Sequence, residues 1–315
     1  MMNRLSFLFA IVLLGCGKSD HPGETELPGK WEYVSSYAYP GTLSRDLVCF
    51  NMGDSLFIGL GDFFKQQSDT CRLFTEAGWE LLPPFPGRPR TGAIGFSIGG
   101  KAYIGMGTSR FEEFRDFWVY DSRLNTWDSL IYDFPGEWRS RMTAFSLQGK
   151  GYVGTGTDGL ERTGDFYEFD PLKGWREMPE ARVDRQQDAI TFVADGAAYL
   201  CFGTGGITTA LLKFLPEESR WISMAPLTPT KYPGVPRTRT HAFVLHEKEG
   251  DFAYFIGGKP EGNGEFWQCC RYDPRKDSWE EVKAPDINTS PITAFSTGSK
   301  GYLLISEQLM LKFTP

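Results

Sequence analysis

Histidine and clustered positive charge are both scarce in this sequence. Its 315 residues include only 3 His, and 33 Lys and Arg are outnumbered by 40 Asp and Glu, so the formal net charge is −7. No run of Lys and Arg follows a strand or a helix, which argues against a nucleic-acid partner because phosphate backbones are bound by clustered cations. With few histidines, no zinc-type cysteine spacing and no phosphate- or calcium-binding motif, we expect no metal site and no cofactor.

The apolar stretch near the N-terminus is too short to cross a membrane. It runs from Leu5 to Leu14, behind Arg4 and ahead of Gly15. About ten residues cannot span a bilayer core of ~30 Å, but a charged start, a short apolar run and a small residue are the parts of a secretory signal. We therefore predict that residues 1–15 are a signal peptide.

The segment Leu13-Leu14-Gly15-Cys16 resembles the lipobox of bacterial lipoproteins, in which the cysteine is acylated. The resemblance implies that Cys16 is lipidated, that residues 16–29 form a flexible tether, and that the chain is exported and anchored to the outer membrane, in its periplasmic or cell-surface leaflet. An ordinary signal peptide with a chance cysteine is the alternative.

Disulfide bonds are not expected. Five cysteines remain after Cys16, an odd number that excludes complete pairing. Cys49 and Cys71 fall on the first and third strands of one predicted sheet, and strands two apart are separated by about 9.6 Å, beyond the ~7 Å limit for a bridge. Cys269 and Cys270 are neighbours and either form a strained vicinal bridge or, as we expect, pack as two thiols.

A helical apolar period is also absent, whereas aromatic residues make up 15% of the chain and Gly numbers 36. Strands and tight turns are the simplest interpretation, so we assign the chain to the all-β class. Tryptophan recurs at intervals of 46 to 58 residues: Trp31, Trp79, Trp127, Trp175, Trp221 and Trp279. Such a period indicates a repeat architecture.

Each repeat begins with two aromatic strands that form a hairpin. The first strand contains Phe50, Phe96, Phe145, Phe192, Phe243 or Phe295, and the second contains Phe57, Tyr103, Tyr152, Tyr199, Tyr254 or Tyr302. A glycine-containing stop follows, such as Gly105-Met106-Gly107, and then a third strand and the tryptophan strand. Sheets that are apolar on both faces become stable when they stack radially, as in a propeller.

The last repeat has three strands before Pro315 and lacks a tryptophan strand. The segment from Trp31 to Val34, 48 residues before Trp79, can supply it. Pairing the two chain ends in one blade would close the ring and remove its open edge. We predict a six-bladed β-propeller over residues 30–315, with the last blade closed by the N-terminal strand.

These repeats resemble the kelch family of the galactose oxidase-like propellers, which carry a paired-glycine stop, then a tyrosine and then a tryptophan. The chain departs from that pattern by using Gly-x-Gly in three units and Cys201 in the fourth. Galactose oxidase-like chemistry needs two His and two Tyr ligands, and His21, His241 and His246 are too few and too badly placed to provide them. There is also a distant resemblance to N-acetylneuraminate epimerase, an exported six-bladed kelch protein that acts on an anionic sugar without metal.

Arginines recur where the chain leads into the first strand of five units, which is unexpected in an acidic protein. A ring of guanidinium groups would suit a planar anion through bidentate hydrogen bonds. The alternative is that the arginines pair with acids between blades. The candidates for ligand binding are Arg45, Arg90, Arg141, Arg185 and Arg239.

The loops after the glycine stops carry aromatic and acidic residues that could form a platform for a sugar or a protein. The candidates are Phe63, Phe111, Glu112 and Glu161. Singly exposed aromatics also need no functional explanation.

The sequence favours a monomeric, non-catalytic binding module for a glycan or a protein ligand at this loop face. The alternative is a metal-independent sugar epimerase or mutarotase acting on an anionic sugar such as sialic acid, with Glu112 or Glu161 as the acid–base group. Arginines that converge with an unpaired carboxylate on one pocket would favour the enzyme, whereas paired arginines would favour the binding module.

Overall fold

The computed structural model describes residues 27–63, 66–205, 210–227, 237–238, 240–260 and 268–315. The predicted signal peptide, the lipidation site Cys16, most of the tether and Arg239 lie outside these residues. No helix in the described ranges is both long and apolar enough to cross a membrane.

Six antiparallel sheets of four strands each form the described part of the chain, and two short two-stranded ribbons accompany them. In the first five sheets the strands follow one another along the chain. The bounds are Val48–Met52, Ser55–Gly59, Cys71–Thr75 and Gly78–Leu81 in blade 1; Ile94–Ile98, Lys101–Gly105, Phe117–Asp121 and Thr126–Ser129 in blade 2; Thr143–Leu147, Lys150–Gly154, Phe166–Asp170 and Gly174–Glu177 in blade 3; Ile190–Ala194, Ala197–Cys201, Leu211–Leu215 and Arg220–Met224 in blade 4; and His241–Glu247, Gly250–Ile256, Cys269–Asp273 and Ser278–Val282 in blade 5.

Blade 6 is built from both ends of the chain, as predicted. Its strands are Thr293–Thr297, Lys300–Ser306, Leu309–Thr314 and, from the N-terminus, Lys30–Tyr33. Trp31 lies directly opposite Phe313 in the antiparallel pair. The N-terminal strand thus covers the edge that blade 6 would otherwise leave unpaired.

The first strands of successive blades contact one another in order, and the first strand of blade 6 contacts that of blade 1, which closes the ring. The ribbons are Asp62–Phe63 with Gln66–Gln67 and Arg237–Thr238 with Lys259–Pro260. Short 3-10 turns cover Ser35–Tyr37 and Pro179–Ala181. The all-β, six-bladed propeller prediction is confirmed.

The aromatic pairs of the repeat are cross-strand neighbours. Phe96 lies opposite Tyr103 in the hairpin, and their rings stack with centroids 5.3 Å apart at 9°. All six blades repeat this stack. The rings also meet the next blade, as Tyr103 meets Phe169 at 5.2 Å. Each inter-blade core therefore gains both buried apolar area and favourable ring geometry.

The recurring tryptophan joins its blade to the preceding one. In blade 2 the indole N–H of Trp127 donates to the carbonyl of Pro83, at 2.9 Å, in the loop that leaves blade 1. Trp31, Trp79, Trp175 and Trp279 make the corresponding bond. Trp221 is the exception, since its indole nitrogen is buried without a hydrogen-bond partner among the described residues.

The glycine stop also joins neighbouring blades. The middle residue of Gly105-Met106-Gly107 has a φ of 61°, and Gly107 has a φ of 86°. This left-handed turn directs the Gly107 N–H to the carbonyl of Arg139, at 3.2 Å, at the start of blade 3. Gly61 and Gly156 make equivalent bonds to the carbonyls of Arg90 and Gln186.

All five cysteines in the described part of the chain are free thiols. Cys49 and Cys71 lie on the first and third strands of blade 1, as expected. Cys269 and Cys270 are both buried.

Candidate functional site

Two sets of loops meet at one face of the propeller. The leading loops, which enter the first strand of a blade, form isolated β-bridges with the 2–3 loops, which join the second and third strands. The bridges include Arg45 with Asp62, Thr91 with Thr108, Ser140 with Thr157, and Gln187 with Thr204. The leading loops and the 2–3 loops therefore lie side by side, as the sequence predicted. We call this side of the ring the loop face.

In blade 2 the tip of the 2–3 loop is a hydrogen-bonded turn. The Ser109 hydroxyl accepts bonds from the N–H groups of Phe111 and Glu112, at 3.3 and 3.1 Å, and the Ser109 N–H donates to the Glu112 carbonyl at 2.7 Å. The Phe111 side chain stands out from this turn and is 84% exposed. The turn orders the backbone beneath an apolar side chain that contacts solvent.

Blade 3 repeats this arrangement with different residues. The Asp158 carboxylate accepts bonds from the N–H groups of Leu160 and Glu161, at 2.8 and 2.7 Å. These two bonds hold the pKa of Asp158 below its usual value, and the bond from the Glu161 N–H has the larger effect. Leu160 occupies the tip and is 95% exposed. Adjacent blades thus each display one large apolar side chain on an ordered turn.

Both candidate carboxylates are paired with arginines. Glu112 forms an ion pair with Arg88 of the leading loop of the same blade. Glu161 forms one with Arg185 of the next leading loop, at 3.0 Å. All four side chains are substantially exposed, so the pairs add little to stability and leave charged groups around the loop tips.

The candidate arginines that the structure describes lie in different surroundings. Arg141 has a φ of 55°, and its guanidinium lies 3.4 Å from the carboxylate of Asp188 in the next leading loop. Arg45 is exposed and makes no ion pair within the described ranges. Arg239 is outside those ranges, and the side chain of Phe63 is not described.

Arg90, one of the ligand-binding candidates, is buried and paired with an acid of its own blade, so its guanidinium is not open at the loop face. It is fully buried and donates to both carboxylate oxygens of Asp116, at 2.5 and 3.0 Å, while its guanidinium carbon lies 4.0 Å from the centre of the Phe114 ring. Burial alone would raise the pKa of Asp116, but the bonds from Arg90 and from the Trp118 indole lower it below its usual value. The pair joins the leading loop to the third strand.

Blade 3 contains the same pair, which the sequence interpretation missed. Arg139 donates to both carboxylate oxygens of Asp165, at 2.5 and 3.1 Å. Its side chain is buried, with 3% exposure. The available signal was the matching spacing, since Arg90 and Arg139 each precede by 26 residues an aspartate that lies just before the third strand.

The central channel holds a cavity of about 600 Å³ lined by the first strands. Small polar side chains bridge neighbouring blades there: Asn51 donates to the Ser296 carbonyl at 2.6 Å, and Ser97 to the Asn51 carbonyl at 3.0 Å. These bonds satisfy backbone groups on the inner edges of the sheets, which no further strand covers.

Cys49 and His241 both line this cavity. Burial raises the pKa of Cys49 to about 12 and lowers that of His241 to about 4. Both are therefore neutral near pH 7, with a thiol that is a weak nucleophile. Asp54 is the one acid among the described residues that line the cavity. No group of three or more metal-ligating side chains occurs in the described part of the protein.

The comparison with known proteins agrees with this architecture. No known family description and no curated protein matches the sequence. A solved structure described as the structure of YjhT is similar, with a TM-score of 0.66 and 16% sequence identity over 87% of this chain and 94% of that one. At this identity the similarity shows the fold, and the chain is a six-bladed β-propeller.

Proposed function

We propose that this propeller is a non-catalytic binding module that engages a protein partner through the 2–3 loop tips of blades 2 and 3. One observation carries the proposal: Phe111 and Leu160 are 84% and 95% exposed on hydrogen-bonded turns of adjacent blades. An ordered apolar anchor loses little conformational entropy on binding, so most of its burial energy contributes to affinity.

Trp138 lies in the leading loop between the two tips. The carbonyl of the next residue, Arg139, accepts a hydrogen bond from the Gly107 N–H in the 2–3 loop of blade 2. Ser140 forms a β-bridge with Thr157 in the 2–3 loop of blade 3. Trp138 is half-buried, and its indole makes no hydrogen bond or ring contact with any residue that the structure describes. We call Phe111, Trp138 and Leu160, with the two flanking Arg–Glu pairs, the tip surface.

The composition of the tip surface favours a protein over a glycan. An aliphatic anchor such as Leu160 has no flat ring to stack on a sugar, whereas apolar anchors surrounded by polar and charged residues are typical of protein interfaces. The Arg–Glu pairs can exchange partners with charges on the other protein and so help to orient it.

Anchoring by a lipid at Cys16 completes the proposal. The lipobox-like segment and the polar residues 16–29 would attach the propeller to the outer membrane of the exporting cell through a tether that ends at the blade 6 strand Lys30–Tyr33. Metabolic labelling of the full chain with an alkyne fatty acid tests this part, and a Cys16→Ser variant that still incorporates label would contradict it.

The sugar epimerase alternative is less well supported. It needs arginines that converge with an unpaired carboxylate on one pocket. In the described structure Glu112 is paired with Arg88, and Glu161 with Arg185.

Site-specific photo-crosslinking in cells tests the partner surface. A photoreactive amino acid at Phe111 or Leu160 is expected to yield one crosslinked protein of the same mass at both positions. Leu124 and Leu172, which are 71% and 88% exposed in turns between third and fourth strands, are matched controls away from the loop face.

The Leu160→Glu variant should lose the complex, and Leu172→Glu should retain it. Equal crosslinking at the control positions would contradict the proposal. Binding of a glycan to the purified chain, with anomeric exchange detected by NMR, would favour the epimerase or mutarotase instead.

A further inference from the structure

Blades 1, 2 and 3 share an aromatic-Pro-Gly motif in their leading loops. In each blade the aromatic ring contacts the second residue of the third strand. The contacting pairs are Tyr39 with Arg72 at 5.4 Å, Phe85 with Trp118 at 5.9 Å, and Phe134 with Tyr167 at 4.6 Å. The three blades therefore share one local framework, and differences within it can be compared position by position.

In blades 2 and 3 an ion pair with a buried arginine lies beside this aromatic contact. An arginine three residues after the motif glycine, Arg90 or Arg139, binds an aspartate just before the third strand, Asp116 or Asp165. In blade 1 the corresponding positions hold Ser44 and Thr70. Blade 1 thus lacks both charges of the pair.

The two small residues leave a cavity of about 340 Å³. Its lining includes Tyr39, Ser44, Gln67, Thr70 and Arg72, which are all described residues. This volume lies at the lower end of the range for small-molecule sites, which begins at roughly 300 Å³.

Arg72 brings a positive charge to this cavity, and this charge is not paired with a carboxylate of the described residues. No acid in the described ranges lies within ion-pair distance of its guanidinium, and its Nε is buried with no hydrogen-bond partner there. Its contacts are with the hydroxyl and ring of Tyr39. Asp69 also lines the cavity but is exposed and beyond ion-pair distance.

The neighbouring blade shows where a carboxylate would bind. Trp118, which corresponds to Arg72, donates its indole N–H to the Asp116 carboxylate at 2.8 Å. A carboxylate placed beside Thr70 would therefore be within hydrogen-bond reach of the Arg72 guanidinium, which can bind two oxygens at once.

We propose that the blade 1 cavity is a binding site for the carboxylate of a small external ligand, which takes the place that Asp116 holds in blade 2. The Arg72 guanidinium supplies the charge and the bidentate geometry, and the hydroxyls of Ser44 and Thr70 provide polar groups for the rest of the ligand. The amide oxygen of Gln67 can add an acceptor, since its Nε2 already donates to the Thr108 carbonyl at 3.2 Å. This site is separate from the tip surface, so either proposal can fail without the other.

Calorimetric titration of the full chain with D-glucuronate and acetate at constant ionic strength tests the proposal. D-glucose, which has the ring without the carboxylate, and inorganic phosphate serve as comparison ligands. We expect both carboxylates to bind, D-glucose not to bind, and phosphate to bind more weakly than D-glucuronate.

Thr70→Asp is the decisive variant, because it supplies an internal carboxylate to Arg72. It should abolish carboxylate binding and raise the melting temperature, whereas the neutral, similarly sized Thr70→Asn should not raise it. Arg72→Lys keeps the positive charge but loses the paired N–H donors of the guanidinium, so it should weaken carboxylate binding about tenfold or more.

Arg123→Met, which removes an exposed arginine in the turn between the third and fourth strands of blade 2, should bind carboxylates as the wild type does. Absence of carboxylate binding by the wild type, binding retained by Thr70→Asp, or phosphate binding as tight as that of D-glucuronate would each overturn the assignment.

Discussion

Arg90 is fully buried, and its guanidinium donates to both carboxylate oxygens of Asp116, which retains 37% of its side-chain exposure. The two charges are therefore unequal in their access to water. Whichever partner is removed, the other must be stabilised by solvent or remain uncompensated, and only Asp116 can reach solvent.

The first prediction follows from that asymmetry. Asp116→Asn leaves a buried guanidinium without its counter-charge and should lower the free energy of unfolding by about 3 kcal/mol or more. Arg90→Met leaves a carboxylate that water can reach and should cost less, about 1 to 2 kcal/mol. Urea denaturation measures both values.

The double variant Arg90→Met/Asp116→Asn completes the cycle. It should be less destabilised than the sum of the two single variants, with a coupling of about 1 to 3 kcal/mol. Additive losses would show that the two side chains do not act as a pair.

The indole bonds between blades lead to the second prediction. Trp127→Phe removes the N–H that satisfies the Pro83 carbonyl and should destabilise the protein by about 1 kcal/mol beyond the loss of ring area. Trp221→Phe removes a buried N–H that has no partner in the described residues, so it should cost less than Trp127→Phe. The difference between the two midpoints in urea isolates the hydrogen bond.

Thr155 lies at a strained position in the blade 3 stop. It is a β-branched residue with a φ of 56°, and its buried hydroxyl has no hydrogen-bond partner in the described structure. Thr155→Gly should relieve both costs and stabilise the protein by about 1 kcal/mol. Leu60→Gly, at the equivalent position of blade 1, should destabilise it because the buried leucine side chain is lost. Thermal unfolding of the two variants distinguishes these outcomes.

His241 predicts a pH dependence of stability. Burial in the channel lowers its pKa from 6.5 to about 4 in the folded protein. Between these values the unfolded chain binds a proton that the folded protein does not, so stability should fall as the pH drops from about 6.5 to about 4. The contribution is up to about 3 kcal/mol.

His241→Gln should flatten this part of the profile of melting temperature against pH. The two profiles should converge in slope above pH 7, where the histidine is neutral in both states. An unchanged slope between pH 6.5 and 4 would show that the imidazole is not shielded from protonation.

The strands and their grouping could be predicted from the sequence because they depend on local rules. The stacked pair Phe96 and Tyr103 is set by alternation along two short strands and a turn between them. The six tryptophans mark the fourth strands, and the missing one in the last repeat indicated that Trp31 would pair near Phe313. Each of these inferences needed only the period of two in a strand and the chemistry of turns.

The chemical environment of the charged residues was decided only by the tertiary structure. Arg90 and Arg185 occupy similar leading loops in the sequence, yet one is fully buried with Asp116 and the other is exposed beside Glu161. Burial depends on which side chains from other strands close around a guanidinium, and that is a property of three-dimensional packing. The sequence alone determined the ring of blades; packing between distant segments decided that blades 2 and 3 neutralise an arginine internally, whereas blade 1 leaves Arg72 beside a cavity.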